Sequence, residues 1–541
     1  MRGALEKVTD NLGAARVLLR TGLVPLRRVD RGIRSLRAVA QYGPFAGLIH
    51  AHVRNGLDAV AVVDDRGQLT YAQLEEQSNA LARAWVADGV TPGSVMGAMC
   101  RNHRGLLLAM LAAAKSGTKL VLMNTGFAAP QLVDVAAREQ VRSFVYDEEF
   151  ADVADALPTD VLRYLSWGAD ATGSTRNLDE LLLGRSTDTV PPPPVPGSFV
   201  LLTSGTTGTP KGAPREHTSA LSAAQFLDRV PLRSRQTMMM AAPAFHGTGL
   251  SQFAVALALG QTVVLQRRFD PVGALALLAN NRADVLVVVP TMLQRILDLG
   301  ADVLAQYDTS NLKVIFAAGS ALSPDLCART TDSFGPVLYN LYGSTEVAVA
   351  TVATPAELAL APGTAGRPPV TCHVELYDDA GRRITRPGEI GRIFVASGLS
   401  FNGYTDGRDK ERLNGLLATG DVGHFDEHGL LFVDGRDDDM IVSGGENVYP
   451  LEVENLLVAR PEVLEAAVIG VEDAEFGHRL KAFVVTAAGA PRDEQDLKAH
   501  VKAHLARHKV PREIVFLEEL PRNATGKLLR RALIEMDSPY A

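Results

Sequence analysis

Residues 202–212 read Leu-Thr-Ser-Gly-Thr-Thr-Gly-Thr-Pro-Lys-Gly, directly after the apolar run Phe199-Val200-Leu201. Glycine lets backbone N–H groups turn toward an anion with no Cβ in the way. Ser204, Thr206 and Thr207 add hydroxyl donors, and Lys211 adds a mobile positive charge. The chemistry implied is the cradling of phosphate oxygens. The stretch is not a G-x-x-x-x-G-K-[ST] loop: Gly212 follows Lys211, so no hydroxyl stands there to hold Mg²⁺. A flexible linker has a similar composition; the order of the residues sets this segment apart.

Three further segments carry chemistry. In Asn340-Leu341-Tyr342-Gly343-Ser344-Thr345-Glu346, the tyrosine offers a flat face to a purine and the glutamate a hard oxygen suited to Mg²⁺. In Thr419-Gly420-Asp421, the aspartate can accept two hydrogen bonds from a vicinal diol. Pro243-Ala244-Phe245-His246 places a histidine after an apolar segment. Each alone also reads as an ordinary turn or a structural side chain.

Ser-Gly-Thr-Thr-Gly-x-Pro-Lys-Gly resembles the phosphate loop of the adenylate-forming superfamily, which includes acyl-CoA synthetases, aryl-CoA ligases and luciferases. The other segments follow in family order from about Gln68 to Arg531. The resemblance implies an ATP site made of Thr203, Ser204, Gly205, Thr206, Thr207, Gly208 and Lys211, with Gly319, Ser320 and Ala321 as a shelf beside the purine. It places Asn340, Tyr342 and Gly343 at adenine, Thr345 at the α-phosphate and Glu346 at Mg²⁺. Asp421 falls at the ribose, with Arg436 contacting ribose or phosphate, and His246 near the carboxylate of the acid. The family often has proline where this chain has Ala321.

The resemblance further implies a hinge at Asp438 and a CoA tunnel lined by Ser443, Gly444 and Gly445. In Leu520-Pro521-Arg522-Asn523-Ala524-Thr525-Gly526-Lys527 it places the lysine that completes the adenylation site. The chemistry needs such a cation. A carboxylate approaching the α-phosphate of a polyanion is repelled unless positive charge screens the encounter. No base is required, because the carboxylate is already ionised at neutral pH. A thiol must later approach where the lysine stood, so a hinged domain that removes it suits the second step.

The implied activity is an ATP-dependent acid–CoA ligase using ATP, Mg²⁺ and CoA. Lys115-Ser116-Gly117, Asn124-Thr125-Gly126-Phe127 and the Ser443–Pro450 stretch resemble bacterial fatty acyl-CoA synthetases, so a medium- or long-chain fatty acid is expected. Gly477-His478, where many relatives have Gly-Glu, departs from the pattern on the CoA side, and Val442 stands where aryl-CoA ligases often carry lysine. The alternatives are an acyl-AMP ligase serving a carrier protein and an aryl or terpenoid acid–CoA ligase. A nucleotide-binding protein without catalysis is opposed by the joint presence of Glu346, Asp421 and Lys527.

The elements that must position these residues alternate. Val95–Met99, Leu120–Met123, Thr262–Leu265, Val285–Val289 and Val314–Ala317 read as short buried strands, with helical spacing between several of them. The expected fold is α/β. It has a large N-terminal domain (51–435) of two sheet lobes, about 51–190 and 197–363, and a β module at 364–435. A hinge at 436–438 leads to a smaller mobile α+β C-terminal domain at 439–541. Pro191–Pro194 reads as a stiff connector between the lobes.

A chain of 541 residues needs more than one core. Net charge −8 argues against a general nucleic-acid binder. Cys100, Cys327 and Cys372 are widely spaced, fit no metal template and suit a reducing cytoplasm. Residues 1–50 form a basic extension: residues 1–37 hold nine Lys/Arg against three Asp/Glu, with Leu18, Leu19 and Leu23 among the arginines. Two readings stay open, a helix packed on the domain surface and a peripheral contact with anionic lipid.

Overall fold

The computed structural model describes residues 4–23, 29–168, 175–203, 211–214, 223–401, 403–405, 407–437, 439–443, 446–473, 477–523 and 526–536. Two largely parallel sheets form the large domain, as the alternation of buried strands and helices predicts. Local signals act as expected at several helix starts. Thr70 Oγ1 accepts from Gln73 N at 3.1 Å, and Gln73 Oε1 accepts from Thr70 N at 2.8 Å, a reciprocal cap on the helix Tyr71–Ala87.

The lobes do not divide at the proline connector. An eight-stranded sheet runs in the order Thr351–Ala353, Leu338–Tyr342, Val314–Ala318, Val285–Val288, Thr237–Met240, Thr262–Leu265, Val60–Asp64, Gly67–Thr70. A seven-stranded sheet takes Val95–Met99, Lys119–Leu122, Ser143–Asp147 and Leu162–Trp167 together with Ser198–Thr203. Thus Val60–Thr70 belongs with the second lobe and the strand feeding the glycine loop with the first. The cause is pairing across the chain: Val62 aligns with Val263 in one sheet, and Leu120 with Phe199 in the other. Periodicity identifies strands but carries no information on which parallel neighbour they choose.

The extension is built into the core. Helix α1 spans Ala4–Arg20, and α2 spans Val29–Arg54 with a kink at Gly43 (φ 77°) ahead of Pro44. The boundary expected at residue 50 falls inside α2. Phe45, Ala46 and Ile49 are buried, and the Phe45 ring meets Phe199 edge-on at 4.8 Å. His50 Nδ1 lies 2.8 Å from Glu75 Oε1. Glu75 Oε2 in turn accepts from the buried Lys115 Nζ at 2.8 Å, which also donates to Ser78 Oγ and Asn79 Oδ1 at 2.8 Å each. A buried ammonium with three side-chain acceptors is a structural tie.

A six-stranded module, from His373–Tyr377 to Leu431–Arg436, follows. The C-terminal domain packs Pro450–Val458 and Glu494–His504 around a five-stranded sheet whose longest strands are Val463–Asp473 and Gly477–Thr486. No helix among the described residues is long and apolar enough to cross a membrane.

Candidate active site

Parallel strands present their carboxyl ends along one edge, where crossover loops leave room for a ligand. The motif residues sit on that edge. Thr203 closes Ser198–Thr203, His246 follows Thr237–Met240, Gly319 follows Val314–Ala318, and Gly343–Glu346 follows Leu338–Tyr342. Segments distant in sequence are thereby gathered by strand order. Gly343 serves the turn: a Cβ there would stand 2.0 Å from Ala348 O, where the loop folds back.

Tyr342 and Asp421 meet directly, Tyr342 Oη donating to Asp421 Oδ2 at 2.5 Å. Asp421 and Arg436 are cross-strand partners in the module, and Arg436 Nη1 lies 3.4 Å from Asp421 Oδ1. Burial pushes the Asp421 carboxyl above its usual range, with Arg436, the Tyr342 hydrogen bond, Lys410 and Lys527 acting the other way. Asn340 Nδ2 donates to Thr364 O at 3.3 Å, so its amide is anchored to the start of the module.

Glu346 is buried and held on both sides. Tyr404 Oη donates to Oε1 at 2.6 Å, and Ser344 Oγ donates to Oε2 at 2.8 Å. Burial raises its pKa, but Tyr404, Lys410 and Ser344 outweigh that and hold the carboxyl below its ordinary range. An anionic carboxylate with lone pairs remaining on each oxygen fits a hard divalent cation. Thr405, next to Tyr404, donates its backbone N–H to Gly212 O at 2.9 Å. The exit of the glycine loop and the partner of Glu346 are therefore one packed unit.

His246 precedes the helix Gly247–Ala258, and the segment before it is braced by Asn102, whose Oδ1 accepts from Ala244 N at 2.8 Å. His246 Nδ1 is buried with no hydrogen-bond partner among the described residues. Its pKa is pushed down to about 4, by burial first and then by the charge of Lys527. The imidazole is neutral at pH 7 and can donate or accept, which suits orienting a carboxylate rather than carrying a proton. The depressed pKa sets a stability window. Folded protein holds His246 neutral down to about pH 4, whereas the unfolded chain protonates it near 6.5, so stability is lost as pH falls between those values. In urea titrations over that window, His246→Asn is expected to lose less stability than the wild type.

Lys527 lies on the C-terminal domain, and its charge bears on both His246 and Asp421. Its loop is clamped. Asn523 Oδ1 accepts from Lys527 N at 2.9 Å, and Arg522 Nη1 donates to Gly526 O at 2.7 Å while its Nη2 reaches Glu465 at 2.9 Å. Gly526 presses on the large domain: a Cβ there would stand 2.4 Å from Thr291 Oγ1.

The structure thus joins Tyr342, Asp421 and Arg436 by direct contact, sets Lys410 near both Glu346 and Asp421, and lets the Lys527 charge bear on both Asp421 and His246. Thr345 lies in the turn before Glu346, and Ser320 and Ala321 follow Gly319 on the neighbouring strand end. Ser204, Gly205, Thr206, Thr207, Gly208, Asp438, Gly444 and Gly445 fall outside the described residues, as do the side chains of Thr203, Lys211 and Ser443. Sequence reasoning missed Tyr404, Ser344, Lys410 and Thr291. Of these, Ser344 stood inside a motif already singled out, and its hydroxyl was the available signal.

A second polar cluster sits at the ends of the seven-stranded sheet. Cys100, one of the three cysteines whose spacing fits no metal template, comes together here with His103 and Asp147. His103 Nε2 lies 2.8 Å from Asp147 Oδ1, Ser166 Oγ donates to the same oxygen at 2.7 Å, and His103 Nδ1 accepts from Gly105 N at 3.0 Å. The buried network caps the helix Arg104–Ser116.

The AMP-binding enzyme family model matches residues 49–405, and the AMP-binding enzyme C-terminal domain model matches 452–527. Indoleacetate–CoA ligase of Aromatoleum aromaticum is 33% identical over 88% of this chain and 95% of its own length. Fatty acid–[acyl-carrier-protein] ligase ScoC of Streptomyces coeruleorubidus is 31% identical over 89% of this chain and 94% of its own. The structure of o-succinylbenzoate CoA synthetase from Bacillus subtilis, in complex with the acyl-adenylate intermediate, superposes with a TM-score of 0.78 at 26% identity, covering 90% of this chain and 97% of that one.

Proposed function

The chain belongs to the AMP-binding enzyme family, and from that premise we propose that it activates a carboxylic acid with ATP and transfers the acyl group to CoA. It is an acid–thiol ligase of the AMP-forming kind. The observation that supports the reading is the packing of Gly526, next to Lys527, against Thr291 of the large domain, with the Lys527 charge felt at His246 and Asp421.

In the first step a carboxylate oxygen bonds to the α-phosphorus and the bond to pyrophosphate breaks. His246 and Lys527 orient the carboxylate, and Lys527 offsets the charge where the two anions meet. Tyr342 and Asp421, already hydrogen-bonded, hold the adenosine, with Arg436 on the far side of Asp421. Glu346 would hold Mg²⁺, which when bound neutralises triphosphate charge. In the second step the CoA thiol, having lost its proton, bonds to the acyl carbon, and AMP leaves. Rotation of the C-terminal domain about Asp438 would withdraw Lys527 and bring the Ser443–Gly445 turn to the thiol's path.

The acid is assigned to the aryl or arylalkyl class. Two of the three relatives are named for indoleacetate and o-succinylbenzoate, which supports an aromatic acid over the fatty acid expected from the sequence. The second reading is a fatty acid delivered to an acyl-carrier protein, and the ScoC relative favours it. Three buried cysteines, none in a disulfide among the described residues, support a reducing compartment such as the cytoplasm, and the basic N-terminal extension is the part proposed to meet a membrane.

A panel of arylacetic, cinnamic and straight-chain acids, assayed for pyrophosphate release and for acyl-CoA, tests the assignment. Aromatic acids are expected to yield both. Thioester from straight-chain acids alone would overturn the acid class. Pyrophosphate release without consumption of CoA would move the acceptor to a carrier protein.

A further inference from the structure

The matched family region begins at residue 49, so α1 and most of α2 lie ahead of it. The inner faces of both helices are accounted for. Ala14, Val17 and Leu18 of α1 are buried, Asp10 Oδ2 lies 3.0 Å from His373 Nε2, and Arg20 Nη2 donates to Asp228 O at 2.8 Å. On α2, Phe45 and Ile49 enter the core.

The outer faces are not those of a helix facing water. Val8, Leu12, Arg16 and Leu19 follow one another at helical spacing along α1, all exposed, with Leu12 67% accessible. On α2 the exposed run is Ile33, Arg34, Leu36 and Arg37, with Leu36 60% accessible. Surface helices ordinarily carry polar side chains on that side. Here leucine and isoleucine alternate with arginine. Arg34 pairs with Asp30, whereas Arg16 and Arg37 form no ion pair among the described residues. Residues 1–37 carry nine Lys/Arg against three Asp/Glu in a chain of net charge −8. The charge is thus polarised, with a basic end on an otherwise acidic body.

We infer that the outward stripes of α1 and α2 dock on an anionic phospholipid surface, with the leucines and isoleucine at the acyl boundary and the arginines on lipid phosphates. Both halves of the pattern are needed for that occupant. Apolar side chains would stay wet on a nucleic acid, and two copies of this face would repel each other through their arginines. Neither helix crosses the membrane, so the mode is interfacial.

Flotation of the full-length protein with phosphatidylcholine vesicles, with and without added phosphatidylglycerol, tests it. The wild type is expected to float only with the anionic vesicles, and less so as salt rises. Arg16→Glu with Arg37→Glu is expected to weaken vesicle affinity about tenfold or more, from roughly 1 kcal/mol per basic residue at an anionic surface. Leu12→Glu with Leu36→Glu should do the same through lost insertion. Both variants should keep the wild-type unfolding temperature, since none of the four side chains is buried. Failure of the wild type to float overturns the inference, and so does flotation unchanged in both variants. A dimer in light scattering that the leucine pair abolishes assigns the face to a second copy and overturns it too.

Discussion

Lys527→Ala is expected to cut acid-dependent ATP–pyrophosphate exchange by about a hundred- to a thousandfold, the range typical for losing one group aimed at developing charge. The expectation rests on position and charge together. The carboxylate and the triphosphate are both anionic, and Lys527 is the cation that bears on both the histidine proposed to orient the acid and the aspartate proposed to hold the ribose. Its loop is held by Asn523 and Arg522, so the ammonium is presented from a fixed base. ATP affinity, measured by direct titration, should change little, because Tyr342, Asp421, Arg436 and Glu346 remain. Thioester formation from a supplied acyl-adenylate should also persist, since the proposed rotation withdraws the lysine for that step. Exchange at the wild-type rate would sink the role assigned to Lys527, and loss of both steps together would point to a folding defect.

Much of this cleft was legible because its chemistry sits in contiguous segments. The glycine-rich run, Tyr342-Gly343-Ser344-Thr345-Glu346 and Thr419-Gly420-Asp421 are each short; the second begins at the end of the strand Leu338–Tyr342, and the third lies within the strand Leu416–Phe425. What was not legible depends on contacts across the chain. Lys410 donates to Thr419 O at 2.9 Å and places a third cation beside Glu346 and Asp421, yet in sequence it is one charge among several in a polar loop. Tyr404 gains its meaning only when the module folds onto Glu346. The same holds for the fold. The apolar run feeding the glycine loop was recognisable, but its sheet is decided by tertiary pairing with Leu120, and Val60–Asp64, which the sequence reading did not single out, joins the other sheet through Val263. The acid stayed out of reach for a further reason. Its selectivity depends on the shape of an apolar pocket, and apolar residues of similar size are interchangeable on paper.

The contact between Gly526 and Thr291 yields the other large effect. Gly526 has φ 79°, a left-handed backbone, and a Cβ there would lie 2.4 Å from Thr291 Oγ1. Two penalties therefore fall on Gly526→Ala. The left-handed strain of about 1 kcal/mol belongs to the loop itself and is present wherever the C-terminal domain sits. The collision with Thr291 arises only when the domain is placed as it is here, with Lys527 at the cleft. Overpacking of this kind costs about 1–3 kcal/mol, so adenylate formation is expected to fall by roughly ten- to a hundredfold. Thr291→Ala removes the struck oxygen and alone should change the rate little. Combined with Gly526→Ala, it should restore the part of the loss due to collision and leave the part due to strain. Thioester formation from a supplied adenylate separates the two, since only strain operates once the domain has turned away. A loss that Thr291→Ala does not relieve would mean that adenylation does not use this docking of the C-terminal domain.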